Sequence, residues 1–321
     1  MLKYRLIFGP IMIAALVAVI YFDNRLDRLS IQGTVWQSIF AGRAYLPAGL
    51  IMLGLFLAMI PFGTVELCAI FRAKGIAAHA FMVGASGMAG CLAMYILPSG
   101  LDPQLAVAIL TTLVVVLFLA TLVQHSWRGR TQGAIAVAGV TLLSLIYMGF
   151  LPGFFILIRR WHSAWVILAI ILITKSCDIG AYFTGRAIGK HKLIPWLSPG
   201  KTWEGLIGGI VLSMIVAVGV VALGNQLGEN GSYSKGTAER VFHEEHYPLW
   251  AAACAGMLIG AVGQFGDLIA SLFKRDAGIK DSGTSIPGFG GLLDVADSPL
   301  IVAPLAYWLL SLMHLLATPA T

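Results

Sequence analysis

Apolar runs of about twenty residues recur along this chain, broken by short polar connections, and the alternation predicts helices at 6–22, 46–63, 76–97, 104–124, 133–158, 164–186, 206–224, 250–272 and 299–317. Hydrocarbon offers no partner to a backbone N–H or C=O, so runs of that length must satisfy their own polar groups within a helix. The expected fold is all-α, a polytopic integral membrane protein of about nine transmembrane helices. The first run reads as a retained span, because no small-residue cleavage site follows Ile20-Tyr21-Phe22-Asp23. Residues 1–160 supply hydrophobic spans without a readable motif, whereas 161–321 hold two strongly polar reentries, 187–205 and 273–298.

Composition agrees with a membrane setting, since 58% of residues are hydrophobic and only 11% are charged. Against that background, residues 271–298 concentrate three cations, four carboxylates and five glycines. Charge in or beside a bilayer is costly unless paired, hydrated or metal-bound, so this density marks a polar site. The net charge of +6 comes without a long basic run or an aromatic-interleaved patch. No nucleic-acid partner is expected; lipid phosphates or a phosphorylated substrate fit better. Cys68, Cys91, Cys177 and Cys254 are scattered through apolar segments without metal-type spacing and read as small hydrophobes.

Orientation follows from Lys and Arg. With the N-terminus inside, thirteen fall on the cytoplasmic side: Lys3, Arg5, Arg72, Lys74, Arg128, Arg130, Arg186, Lys190, Lys192, Lys201, Lys274, Arg275 and Lys280. Seven fall outside, Arg25, Arg28, Arg43, Arg159, Arg160, Lys235 and Arg240, and Lys175 lies within a span. Both polar reentries then share the cytoplasmic face. The outside connection 225–249, with Glu229, Glu239, Glu244 and Glu245, reads as a solvated surface; its His243 and His246 are weighed as a metal pair and assigned to that hydrated loop.

The first reentry extends from Lys175 and Asp178, one helical turn apart, to Ser198-Pro-Gly-Lys201-Thr202. For the lysine and aspartate, a structural ion pair stands beside a functional role. Glycine next to lysine suits an anion, yet this is not a Walker A loop: Pro195 occupies the required glycine position and no strand is expected before it. The second reentry spaces carboxylates, glycines and lysines as a magnesium–polyphosphate site needs them, because hard cations prefer carboxylate and phosphate oxygens. An acid-lined ion vestibule is the alternative. The flanking cations count against it.

Together these blocks resemble a known signature. SxFKRxxxxKDxGxxxPGxGGxxDxxDS from Ser271, preceded by Gly266-Asp267-Leu268, by DIGAYFTGR from Asp178 and by SPGKTWEG from Ser198, is similar to the pattern of the CTP:phosphatidate cytidylyltransferase family, the CDP-diacylglycerol synthases. The match runs over roughly 175–298. Three positions depart from it: Phe289 replaces a usual histidine, Val295 a usual arginine, and Ala270 a glutamate of some members.

The resemblance implies transfer of CMP from CTP to phosphatidate, with release of pyrophosphate, in phospholipid biosynthesis. It implies Asp267 and Asp294 as carboxylates for Mg²⁺, a second cation being left open, with Asp297 as the next candidate. Lys280 joins these three aspartates in the implied catalytic set. Lys201, Lys274, Arg275 and Lys280 are candidates for the phosphates of CTP or phosphatidate, and Ser198 and Ser271 for hydroxyl donors. Asp281 orients Lys280 or the metal's water, or serves a turn, and Asp178 joins the polar floor. CTP, phosphatidate and membrane lipids are the implied partners, in a bacterial inner membrane with the site facing the cytoplasm. Homodimerisation through small residues such as Gly208-Gly209 is left open beside internal packing. The alternatives are an ion-coupled transporter or lipid flippase using Lys175, Asp178 and Asp267, and a transferase acting on another lipid phosphate.

Overall fold

The computed structural model describes residues 2–40, 44–98, 100–127, 129, 131–228, 231–233 and 242–319. Within them the long helices are α1 (Leu2–Leu26), α3 (Leu50–Ala73), α4 (Ala80–Ile96), α5 (Pro103–Trp127), α6 (Ala134–Ser144), α7 (Leu151–Trp161), α8 (Ala164–Ile188), α9 (Trp203–Leu227), α10 (Leu249–Asp276) and α11 (Leu292–Leu316), with a short α2 at Val35–Ile39. A π-helical stretch, Leu145–Phe150, joins α6 to α7, so Ala134–Trp161 forms one apolar span. Eight spans among the described residues are long and apolar enough to cross a bilayer. The ninth expected span is α4, whose 17 residues reach about 25 Å, near the lower limit for crossing. The chain is a polytopic membrane protein of the all-α class, with only a few short strands.

Several helices extend beyond the expected apolar runs. α3 continues ten residues past 63 and carries Glu66 within it, and α11 begins at Leu292 rather than 299 and takes in Asp294 and Asp297. A helix N-terminus presents unpaired amides that attract carboxylates, so acids mark its start without being apolar.

The connection 187–205 is ordered as a hairpin, which corrects the expectation that no strand precedes Gly200-Lys201. Strands β1 (Lys192–Ile194) and β2 (Ser198–Thr202) pair antiparallel, Lys192 opposite Thr202 and Ile194 opposite Ser198. The Thr202 hydroxyl then accepts from the Gly205 amide and caps α9. A second small sheet joins β3 (Gly231–Tyr233), β4 (Phe242–His246) and β5 (Thr318–Pro319). Among the residues weighed above, Arg43, Arg128, Arg130, Glu229, Lys235, Glu239 and Arg240 lie outside the described residues, as do the side chains of Lys3, Arg5 and His243.

Two compact units each take alternating parts of the chain. The first comprises Met1–Pro10, Leu53–Ile156 and Leu272–Ala296; the second comprises Ile11–Met52, Leu157–Ser271 and Asp297–Thr321. In the first unit, α4 lies against the π-helical stretch. A Cβ added to Gly149 would stand 2.9 Å from both the Gly87 carbonyl oxygen and the Gly90 Cα, so the two backbones are in contact.

In the second unit α8 and α9 approach equally closely. A Cβ on Gly209 would come within 2.6 Å of the Cys177 carbonyl, and one on Gly208 would strike the Thr184 side chain. The glycine pair therefore serves internal packing. Cys68, Cys91 and Cys177 are buried as expected, whereas Cys254 is exposed. Arg159 corrects the charge tally: it is not a loop cation but fully buried, with Asp23 Oδ2 at 2.5 Å and Asp27 Oδ2 at 2.6 Å. Asp23 Oδ1 also accepts from the Ile51 and Met52 amides at the start of α3. The planar guanidinium fork can satisfy two acids at once, which makes its burial tolerable.

Candidate active site

Within the second unit, polar side chains from α8, β2 and α10 form a connected network. Lys175 Nζ lies 3.3 Å from Asp178 Oδ2, and both side chains are about one-third exposed. The other Asp178 oxygen accepts from Gln264 Nε2 at 2.7 Å. Lys201, carried by the hairpin, reaches Asp267 Oδ2 at 2.7 Å and donates to the Gln264 carbonyl oxygen at 3.3 Å. Gln264 thus ties both lysine–aspartate pairs together, three residues before Asp267 on one face of α10. It lies in the GQFGD string but had no role assigned from the sequence.

The hairpin is held by its own acid. Glu204 accepts from the Lys190 and His191 amides, and its Oε1 lies 2.6 Å from His191 Nδ1. Ser198 opens β2, and Ser271 lies four residues after Asp267, half-buried on α10. Asp297 is nearly inaccessible at 2% exposure, with Oδ1 accepting from the amide and hydroxyl of Ser298. A carboxylate this enclosed is turned away from solvent.

Within the first unit a second lysine–aspartate pair is more enclosed. Lys274 Nζ meets Asp294 Oδ1 at 2.8 Å, with side chains 12% and 11% exposed. Asp294 Oδ2 accepts from the amides of Ser282 (3.0 Å) and Gly291 (2.9 Å). Asp294 is the third residue of α11 and Gly291 immediately precedes the helix, so this is the N3-to-N-cap half of a capping box. Gly290 turns the chain at φ +96°, and a Cβ there would stand 2.7 Å from Asp294 Oδ2. Arg275, Lys280 and Asp281 are exposed, with Arg275 Nη1 donating to the Ile279 carbonyl.

A residue absent from every motif completes the cluster. Glu66, on α3 and 3% exposed, accepts from the Ser285 hydroxyl (2.5 Å) and Leu292 amide (2.7 Å) at Oε1, and from the Ser282 hydroxyl (3.1 Å) and Leu293 amide (2.9 Å) at Oε2. Its one sequence signal is isolation, since it is the only acid between Asp27 and Asp102.

The donor set also bears on a cation. No three His, Cys, Asp or Glu side chains converge among the described residues. Magnesium needs only one or two protein carboxylates. Asp267, one-third exposed and paired through one oxygen, fits that demand. Asp294 is more enclosed and already accepts from Lys274 and two amides, so less of its capacity is open to a cation.

Residues 28–313 match the family model described as the cytidylyltransferase family. The chain belongs to this family. It is accordingly a nucleotidyltransferase, set in a membrane by its helices. Similar proteins include those named phosphatidate cytidylyltransferase in Staphylococcus saprophyticus, 35% identical over 57% of this chain and 63% of that protein, and in Staphylococcus haemolyticus, 31% identical over 70% and 78%. The Staphylococcus aureus protein of the same name is 31% identical over 67% of this chain and 74% of its own length. The alignment thus covers less than two thirds of the first relative and more than two thirds of the other two.

Family membership gives context to the departing positions. The Phe289 ring packs toward α1, where a Cβ on Gly9 would lie 3.5 Å from it, so an apolar contact stands where a polar side chain was expected. Ala270 is 8% exposed and packs as a small core residue. Nothing in the structure explains Val295.

Proposed function

We propose that this membrane cytidylyltransferase joins CTP to phosphatidate, forming CDP-diacylglycerol and releasing pyrophosphate. The names of its relatives support that acceptor. The observation that carries the reading is the pairing of Lys201 with Asp267 and of Lys274 with Asp294, each cation held by an acid within a helical membrane protein. A lysine ammonium has three donors, and one carboxylate leaves others for phosphate oxygens.

The chemistry needs little covalent help from the protein. An oxygen of the lipid phosphate bonds to the α-phosphorus of CTP, the α–β bridging P–O bond breaks, and pyrophosphate leaves with that electron pair. Nucleophile and leaving group are both anionic, so alignment and charge neutralisation dominate. Lys201, Lys274, Arg275 and Lys280 bind phosphate oxygens, with Ser198 and Ser271 as hydroxyl donors. Asp294 holds Lys274 in place, while Gln264 and Asp178 form the polar floor beneath Lys201. Asp267 would hold Mg²⁺, which when bound supplies further neutralisation of phosphate charge.

The distribution of Lys and Arg supports placing this chemistry at the cytoplasmic face, and the Staphylococcus relatives support a bacterial cell membrane. A soluble nucleotide and a two-tailed lipid can both reach that interface.

Incubation of the purified protein with α-labelled CTP, phosphatidate and Mg²⁺ tests the reading. Label in the organic phase together with released pyrophosphate is expected. A folded protein that leaves all label aqueous with phosphatidate, or moves lipid without releasing pyrophosphate, would overturn it; label transferred only to another lipid phosphate would reassign the acceptor.

A further inference from the structure

We propose that Glu66 is a positioning residue for Lys274, acting through Ser282 and Asp294. The inference rests on the assignment of Lys274 to phosphate binding. Four donors converge on the Glu66 carboxylate, two hydroxyls and two amides, drawn from Ser282, Ser285, Leu292 and Leu293. All four are neutral. Burying a carboxylate is costly, and here four hydrogen bonds and the positive end of α11 offset the cost.

A simple helix cap needs less than this. Asp23 caps the start of α3 with one oxygen shared by two adjacent amides. Glu66 instead accepts from one amide and one serine hydroxyl at each of its oxygens, and so ties the polar loop to the helix that follows. Ser282 is the link: its hydroxyl donates to Glu66 and its amide to Asp294 Oδ2, while Asp294 Oδ1 holds Lys274. The packing leaves no slack, since a Cβ on Gly291 would strike the Ser282 hydroxyl and stand 2.5 Å from Glu66 Oε2. The position of the Lys274 ammonium is therefore set from α3 through two intervening residues, Ser282 and Asp294.

Glu66→Gln keeps the shape but replaces one acceptor oxygen with a donor. The expected result is a fall in kcat of about 10–100-fold, the usual range for groups that orient a ligand from behind, in protein that still folds. Placed on Lys274→Ala, the same change should cost less than threefold more, because its route of action is already gone. A full additional loss in the double variant would show general damage and overturn the proposal, as would a Glu66→Gln enzyme with wild-type kcat. If Glu66→Gln fails to fold, Ser282→Ala removes a single link and must lower kcat in the wild-type but not in the Lys274→Ala background; equal loss in both overturns the proposal.

A second readout does not use activity. Thr284 is exposed within the tied loop, and maleimide labelling of Thr284→Cys should accelerate several-fold when Glu66→Gln or Ser282→Ala is added. An unchanged labelling rate overturns the proposal. Wild-type protein that transfers no CMP to phosphatidate overturns the reaction instead, and the labelling arm still decides for or against Glu66.

Discussion

Lys274 and Asp294 meet at 2.8 Å near the end of one membrane helix and in the first turn of the next, and the second aspartate oxygen is taken by the amides of Ser282 and Gly291. The aspartate thus has two duties, holding a cation and starting a helix. Asp294→Asn keeps most of the shape but abolishes the charge that holds Lys274. CMP transfer should fall at least about 100-fold, comparable to loss of one preorganised charge-stabilising group, and steady-state kinetics on folded variant will check it.

Asp267 has one oxygen on Lys201 and is more exposed than Asp294. Chelation of divalent ions should abolish transfer, and Mg²⁺ should restore it. The midpoint of Mg²⁺ titration should rise about tenfold or more in Asp267→Asn, the scale of losing one carboxylate ligand, while the residual activity of Asp294→Asn keeps the wild-type midpoint. The reverse pattern would make Asp294 the principal metal carboxylate.

Arg159 is enclosed with Asp23 and Asp27. Arg159→Met strands two buried acids and should cost about 3–5 kcal/mol of stability, as removal of one partner from a buried ion pair does. Thermal unfolding in detergent will show a lowered midpoint, with Arg159→Lys intermediate because it keeps the charge and loses the fork. Turnover per folded molecule should stay near wild type well below the midpoint.

Gly208 sits where any Cβ meets the Thr184 side chain, whereas a Cβ on Gly219, farther along the same helix, meets nothing within 4 Å. Gly208→Leu should force α8 and α9 apart and lower the unfolding midpoint, and Gly219→Leu should leave it nearly unchanged. Equal effects at both positions would show that small residues along α9 act through something other than this contact.

Hydropathy along the chain determined the membrane class and the order of the spans, because lipid compels each apolar run to satisfy its own backbone and so makes that information local. The motif blocks around Lys201, Asp267, Lys274 and Asp294 were legible for a related reason: dense charge in an apolar chain has few structural uses. The tertiary structure alone decided which lysine meets which aspartate, that Arg159 is buried and not a loop cation, that Asp297 turns inward, and that Glu66 anchors the loop before α11. The Lys201–Asp267 and Lys274–Asp294 pairs, the burial of Arg159 and the anchoring by Glu66 depend on partners tens to hundreds of residues away. Residue type shows that a charge needs compensation; only the packing of helices shows which group supplies it.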